Sequence, residues 1–412
     1  MTALTETFFQ NYEQFKNPEL NHRRFKHTKV VELLNKLPFE KVSLGKSFEG
    51  RDIQKVIIGN GPKKILLWSQ MHGNEATATM ALFDIFNFFQ NTSGEFLEIK
   101  KLFESKLELH FIPMLNPDGA ERFIRRTAQG IDMNRDAVAL KCPESEILKN
   151  QVLTLTPEFS FNLHDQNIRY SAGASNKQAT ISFLATAYNE AREWNENRTK
   201  AAQVIAKMNA DLQAFIPNAI GRFSDEFEPR AFGDNIQKWG SSLILIESGG
   251  YPNDTEKQFI RKLNFVAILS ALESIALESY TSYSIENYSA IVQNEKYLFD
   301  LKIKNLTVEA PKGNFEIDLG VNLEEKNNSD ASDFSVTSVI EDLGDLSVFW
   351  GINEIDAEGG LLKSIETYPS IKETYKQYGP FPLEILEGEK ASFVIDKGNE
   401  LILIINGRII EK

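Results

Sequence analysis

The segment Met71-His72-Gly73-Asn74-Glu75 sets an imidazole three residues ahead of a carboxylate. Both are zinc-ligand types, and a catalytic zinc takes three protein ligands while leaving a fourth position open. A tight turn through Gly73 would aim His72 and Glu75 at one point. The pair alone is ambiguous, because Glu75 also reads as a favourable charge in the first turn of a helix. Of the other histidines, His22 and His27 sit among Arg23, Arg24 and Lys26 and read as a solvated face. His110 lies inside an apolar run and reads as a core histidine, while His164 ends one. Glu247 also ends an apolar run, where a carboxylate is costly unless paired or exposed.

These residues need elements to hold them. Ile65 to Trp68 reads as a strand before His72, and Ala76 to Phe89 as an amphipathic helix after Glu75, with Met80, Phe83, Phe86 and Phe89 at helical spacing. Val56 to Ile58 and Ile65 to Trp68 flank Asn60-Gly61-Pro62, which predicts a hairpin. Leu107 to Ile112, Phe159 to His164 and Leu243 to Ile246 read as further strands, and Glu256 to Glu278 as a long helix. Strands alternating with helices indicate an α/β sheet with helices on its faces. His72, His164 and Glu247 all fall where strands end, which is where open α/β sheets bind ligands.

Further motifs follow in order: Asn116-Pro117-Asp118-Gly119, Arg125-Arg126, Asp132-Met133-Asn134-Arg135, Leu163-His164 and Ile246-Glu247. Over about residues 40 to 280 this ordered set resembles the zinc carboxypeptidase family, the carboxypeptidase A-type metallopeptidases. The resemblance implies a mixed, mainly parallel twisted sheet with helices on both faces. It implies one zinc ion held by His72, Glu75 and His164, with Glu247 as general base. It further implies that Asn134 and Arg135 bind the terminal carboxylate of a peptide substrate, and that Arg125 holds the scissile carbonyl oxygen. Comparison with the family favours Arg125 over Arg126 there, and Arg126 remains a substrate-binding candidate that is otherwise simply solvated. A guanidinium grips a carboxylate bidentately, which suits Arg135. Asp132 is expected to accept the outer ring proton of His72 and fix its orientation, or else to be a plain turn aspartate. The family's mobile tyrosine has no counterpart in Phe223 to Asp234. Phe232 and Asp234 stand as candidates for lining the specificity pocket, beside ordinary loop packing. Arg169 reads as a partner of a surface carboxylate in preference to an acidic substrate.

The net charge of -13 disfavours a nucleic-acid partner, since phosphate binding needs a basic surface. A single cysteine, Cys142, allows no internal disulfide. No apolar stretch approaches a membrane span, and the N-terminal residues lack a secretory pattern. Cytoplasmic residence is the expectation. From about residue 284 the pattern becomes short alternating runs, so residues 1–283 are expected to form the catalytic domain and 284–412 a β-rich accessory domain without histidine or cysteine. The function expected is that of a zinc metallocarboxypeptidase acting on peptides or peptide-like amides with a free C-terminal carboxylate. The alternatives are an amidase or deacylase on cell-wall peptides or N-acyl amino acids, and a non-catalytic zinc- or peptide-binding module. Retention of Glu247 argues against the last. Oligomeric state is not legible.

Overall fold

The computed structural model describes residues 3–90, 94 and 96–410. They divide into two compact units, one of residues 1–168 and 179–294, the other of residues 169–178 and 295–412.

The first unit is built on an eight-stranded sheet. Its strands are β1 (Glu40–Lys46), β2 (Asp52–Ile58), β3 (Lys63–Trp68), β4 (Leu107–Ile112), β5 (Phe159–Asp165), β6 (Ile181–Leu184), β7 (Ile220–Arg222) and β8 (Ser242–Ser248). They lie in the order β1-β2-β4-β3-β5-β8-β6-β7. β3 runs parallel to both β4 and β5, and β5 runs parallel to β8. β1, β2 and β6 join antiparallel. The expected hairpin between Val56–Ile58 and Ile65–Trp68 does not form, because β4 lies between the two strands. The reason is at the turn itself: Asn60 and Gly61 donate to the Glu104 and Leu107 carbonyls and not across a hairpin. A Cβ on Gly61 would stand 2.0 Å from the Lys106 carbonyl carbon, so the turn hugs the start of β4.

Helices cover both faces, as the alternation of side chains along buried strands requires. We label them α1 (Thr77–Gln90), α2 (Pro117–Arg122), α3 (Pro143–Leu155), α4 (Glu196–Leu212), α5 (Phe232–Lys238) and α6 (Gln258–Leu277). On one face α3 and α5 bring Leu148, Val152, Phe232 and Ile236 onto Leu66, Trp68, Ile112 and Leu243. On the other, Phe86 of α1 meets Phe111 of β4 edge to face, and α6 lies against α1 and α4.

The α1–α6 contact encloses an ion pair with both partners fully buried, Asp84 with Arg261. Asp84 accepts from Arg261 Nε at 2.7 Å, from the Tyr12 hydroxyl at 2.8 Å and from the Asn17 backbone N–H at 2.7 Å. Arg261 also donates to the Asn17 carbonyl at 2.9 Å, so the N-terminal segment is stitched to the same pair.

The second unit holds an eight-stranded, largely antiparallel sheet. Its long strands, β9 (Leu298–Val308), β10 (Phe315–Asn327) and β11 (Phe334–Gly344), bury Leu301, Ile303, Leu319, Val321 and Ile340 together. Among the described residues no helix is long and apolar enough to cross a membrane.

Replacing Asp84 by Ala leaves the Arg261 charge buried without its partner, and removal of one member of such a pair costs about 3–5 kcal/mol. Urea unfolding of Asp84→Ala is expected to show a loss of that size. A loss below about 1 kcal/mol would mean that the pair does not hold α1 to α6.

Candidate metal centre

Glu75 stands in the turn between β3 and α1, and His72 enters that turn two residues earlier than Asn74. The turn is tight because Gly73 lies against α2. A Cβ there would sit 2.0 Å from the Gly119 carbonyl carbon and 2.2 Å from the Ala120 nitrogen. Gln70, buried at φ 46°, takes the left-handed backbone that starts the turn. Its amide spans the turn, donating to the Gly73 carbonyl at 2.9 Å and accepting from the Thr79 hydroxyl at 2.9 Å.

The Asn116-Pro117-Asp118-Gly119 motif supports this turn from outside. Asn116 accepts from the Gly119 N–H at 2.9 Å, capping α2, and donates to the Met71 carbonyl at 3.2 Å. Asp118, fully buried, accepts from Ser47 at 2.7 Å, the Glu49 N–H at 2.9 Å and Arg51 at 2.7 Å.

Within the turn the side chains converge. His72 Nδ1 lies 2.7 Å from Glu75 Oε1, and His164 Nδ1 lies 2.7 Å from Glu75 Oε2. All three side chains are buried, and their ligand-type atoms lie within 4.8 Å of one another. Arg125 Nη1 approaches His72 Nδ1 at 3.1 Å and Glu75 Oε1 at 3.2 Å, while its Nε donates to Asp132 Oδ2 at 3.1 Å. His72 Nε2 lies 3.2 Å from Asp132 Oδ1, so each ring nitrogen faces a carboxylate, Nδ1 toward Glu75 and Nε2 toward Asp132. Two imidazoles and a carboxylate are a zinc donor set, and the buried, mutually facing atoms fit such an ion.

The electrostatics agree. Burial raises the Glu75 carboxyl, but His72 and His164 override it and hold the group far below the usual carboxylate range. Asp132 is likewise held down against its burial by His72 and Arg125.

Glu247 is the register partner of His164 across the parallel β5–β8 pair, and neighbouring strands lie about 4.8 Å apart. Its Oε2 is buried without a hydrogen-bond partner. Burial, with the charges of Glu75 and Asp165, pushes it well above the usual carboxylate range against the pull of His164. A cation at Glu75 would pull it back down.

Asn134 and Arg135 follow Asp132 in a single 3₁₀ turn. Asn134 Oδ1 accepts from the Phe232 N–H at 2.9 Å, which leaves the amide nitrogen as the group able to donate. Arg135 donates to the Asn134 carbonyl at 2.8 Å and pairs with Glu228 at 3.2 Å, with its side chain 40% exposed. Arg126 departs from the cluster: its Nη1 donates to the Gly130 carbonyl in an exposed contact. Phe232 is fully buried in the core. Asp234 is buried and accepts from the Glu228 N–H at 3.3 Å, and burial pushes it up to about 7. Arg169 lies in the second unit and pairs with buried Asp300 at 2.8 Å, not with a surface carboxylate. His110 bonds Glu108 at 2.7 Å, and His27 bonds the Asp52 carbonyl. Burial pushes the Cys142 thiol up to about 12, so it offers no thiolate near neutral pH. Gln70, Thr77, Asp165 and Lys257 belong to no motif read from the sequence. Only Asp165 gave a signal, by following His164 in a polar run.

Residues 31–142 match the zinc carboxypeptidase family model, which bears out the resemblance read from the motifs over that segment. An uncharacterized protein of Zymomonas mobilis is 28% identical over 125 residues, a match covering 29% of this chain and 32% of that protein. The chain thus spans about a third of the length of this curated relative. A metallo-carboxypeptidase from Burkholderia cenocepacia is similar at 16% identity and TM-score 0.48, covering 62% of this chain and 69% of its own. A metallo-carboxypeptidase from Pseudomonas aeruginosa, solved in complex with (2-guanidinoethylmercapto)succinic acid, is similar at 16% identity and TM-score 0.48, covering 62% and 68%.

Gly73→Ala forces the turn away from α2, and steric insertions of this kind cost about 1–3 kcal/mol. Thermal unfolding of the metal-free variant is expected to show that loss. A wild-type midpoint would contradict the close approach.

Proposed function

We propose that this protein is a zinc metallocarboxypeptidase hydrolysing the C-terminal bond of a peptide or peptide-like amide. The observation that carries the reading is the convergence of His72, Glu75 and His164 on one buried point, with the unpartnered Oε2 of Glu247 on the adjoining strand end. His72 and His164, through Nδ1, and Glu75 would hold one zinc ion. Bound there, zinc would supply Lewis acidity toward a carbonyl and lower the pKa of a water.

The chain's own residues supply the rest. Glu247 takes a proton from water at its buried Oε2 and returns it to the leaving nitrogen. Arg125, beside His72 and Glu75, stabilises negative charge developing on the scissile oxygen. Arg135 and the Asn134 amide nitrogen take the substrate's terminal carboxylate, with Arg126 turned to the Gly130 carbonyl and so a weaker candidate. Asp132 holds the His72 ring through Nε2. Residues 1–283 form the catalytic domain on this reading and residues 284–412 an accessory domain. Cytoplasmic residence, on the single buried Cys142, belongs to it too.

Zinc analysis of purified protein is expected to give one ion per chain. Glu247→Gln should keep that ion and lose about 10²–10⁴-fold in kcat on C-terminally varied peptides. Equal background turnover by wild type and variant over a broad peptide panel would exclude the peptidase. Turnover of N-acyl amino acids or cell-wall amides in its place would select the amidase or deacylase alternative. Arg135→Met should raise KM at least about tenfold for peptides with a free terminus and leave amidated ones unaffected. Equal effects on both would remove the terminal carboxylate from the proposed recognition.

A further inference from the structure

Lys257 is a buried lysine that the proposed reaction does not use, 5% exposed and outside every motif discussed above. Its Nζ donates to the Ser248 carbonyl at 2.9 Å and to Asp165 Oδ2 at 3.2 Å. Ser248 follows Glu247 directly, and Asp165 follows His164. The two residues are also the last register pair of the β5–β8 ladder. Beyond them the strands end, and only the Gln166 N–H, at 3.0 Å from the Ser248 carbonyl, continues the pairing. Lys257 closes that open end with a charge-assisted bond to each strand.

Asp165 extends the tie to the third element of the site. Its Oδ2 accepts from the Thr77 hydroxyl at 2.6 Å, in the first turn of α1, and its backbone N–H donates to Glu75 Oε2 at 3.2 Å. One aspartate therefore meets the elements that bear Glu75, His164 and Glu247. Lys257 itself is held rigidly. It stands at φ 51° before α6, donates from its backbone to the Asp254 carbonyl at 2.9 Å, and follows a loop whose Asp254 side chain caps the helix at Gln258, Phe259 and Ile260. Ser248 is fixed separately by Asn264, which donates to its hydroxyl at 2.9 Å.

Burying an ammonium and a carboxylate is costly, and a backbone carbonyl at a strand end can be satisfied by water. A charge placed here points to control of position. We infer that Lys257, acting through Asp165 and the Ser248 carbonyl, is a positioning residue that sets the general base Glu247 and the ligand pair His164 and Glu75 relative to one another. The inference rests on the reading of these residues as a zinc site with its base.

The test uses the full chain and the variants Lys257→Met, Asp165→Asn, their double combination and Thr77→Val. Zinc affinity is read by chelator competition, and kcat and KM by peptide hydrolysis. Lys257→Met is expected to weaken zinc affinity and kcat about tenfold to a hundredfold each, with KM within about threefold. In the Asp165→Asn background the same substitution should weaken zinc affinity less than about threefold, because the carboxylate it serves is gone. Thr77→Val, which removes one bond to Asp165 and no charge, should weaken zinc affinity about threefold to tenfold. It decides the matter where Lys257→Met does not fold. Wild-type zinc affinity in Lys257→Met or in Thr77→Val would overturn the inference. So would an equal loss from Lys257→Met in the wild-type and Asp165→Asn backgrounds. A wild-type protein that binds zinc but cleaves no peptide sinks the proposed activity and leaves the zinc-affinity cycle to judge Lys257 on its own.

Discussion

The buried Glu75 carboxylate between two imidazole nitrogens is the constraint on which the rest of the first unit depends. Each Nδ1 lies 2.7 Å from one of its oxygens. A carboxylate in so buried a place is costly unless positive charge or donated protons face it. The surrounding groups answer that need in part. Arg125 brings a cation to the edge, and Asp132 meets the outer ring nitrogen of His72 while the inner one faces the cluster.

Geometry at this scale demands backbone that cannot drift. The sheet supplies it by placing β3, β5 and β8 side by side and parallel, so that three strand ends open on the same edge. Turns beyond the strands are then locked by specific contacts: Gly73 against Gly119, Gln70 spanning to Gly73 and Thr79, and Asn116 holding the Met71 carbonyl. Asn116-Pro117-Asp118-Gly119 is thus a scaffold for the turn. Its Asp118 faces Ser47, Glu49 and Arg51 and not the cluster.

Much of this was legible in the sequence because the signals were local. The strand Leu107–Ile112 and the helix after Glu75 follow from apolar periodicity, and His164 and Glu247 stand out as polar residues that end apolar runs. The hairpin at Asn60-Gly61-Pro62 misled, since turn residues announce a change of direction but not which strand fills the space beside it. β4 takes that place although it comes later in the chain than β3, a strand order that no local pattern encodes. Lys257 escaped for a related reason. Its partners, Asp165 and Ser248, are brought to it by the ladder between β5 and β8, and a lone lysine ahead of a helix carries no mark of burial. Arg126 shows the converse: adjacent arginines are alike in chemistry and only the resemblance to the family favoured Arg125, the one that turns to the cluster while Arg126 turns to the Gly130 carbonyl.

X-ray absorption at the zinc edge on the purified full chain tests the central claim most directly. The predicted result is one zinc per chain with two imidazole nitrogens and a carboxylate oxygen at about 2.0–2.2 Å, no sulfur, and loss of imidazole scattering in His164→Ala. A sulfur shell near about 2.3 Å, or imidazole scattering unchanged in His164→Ala, would contradict it.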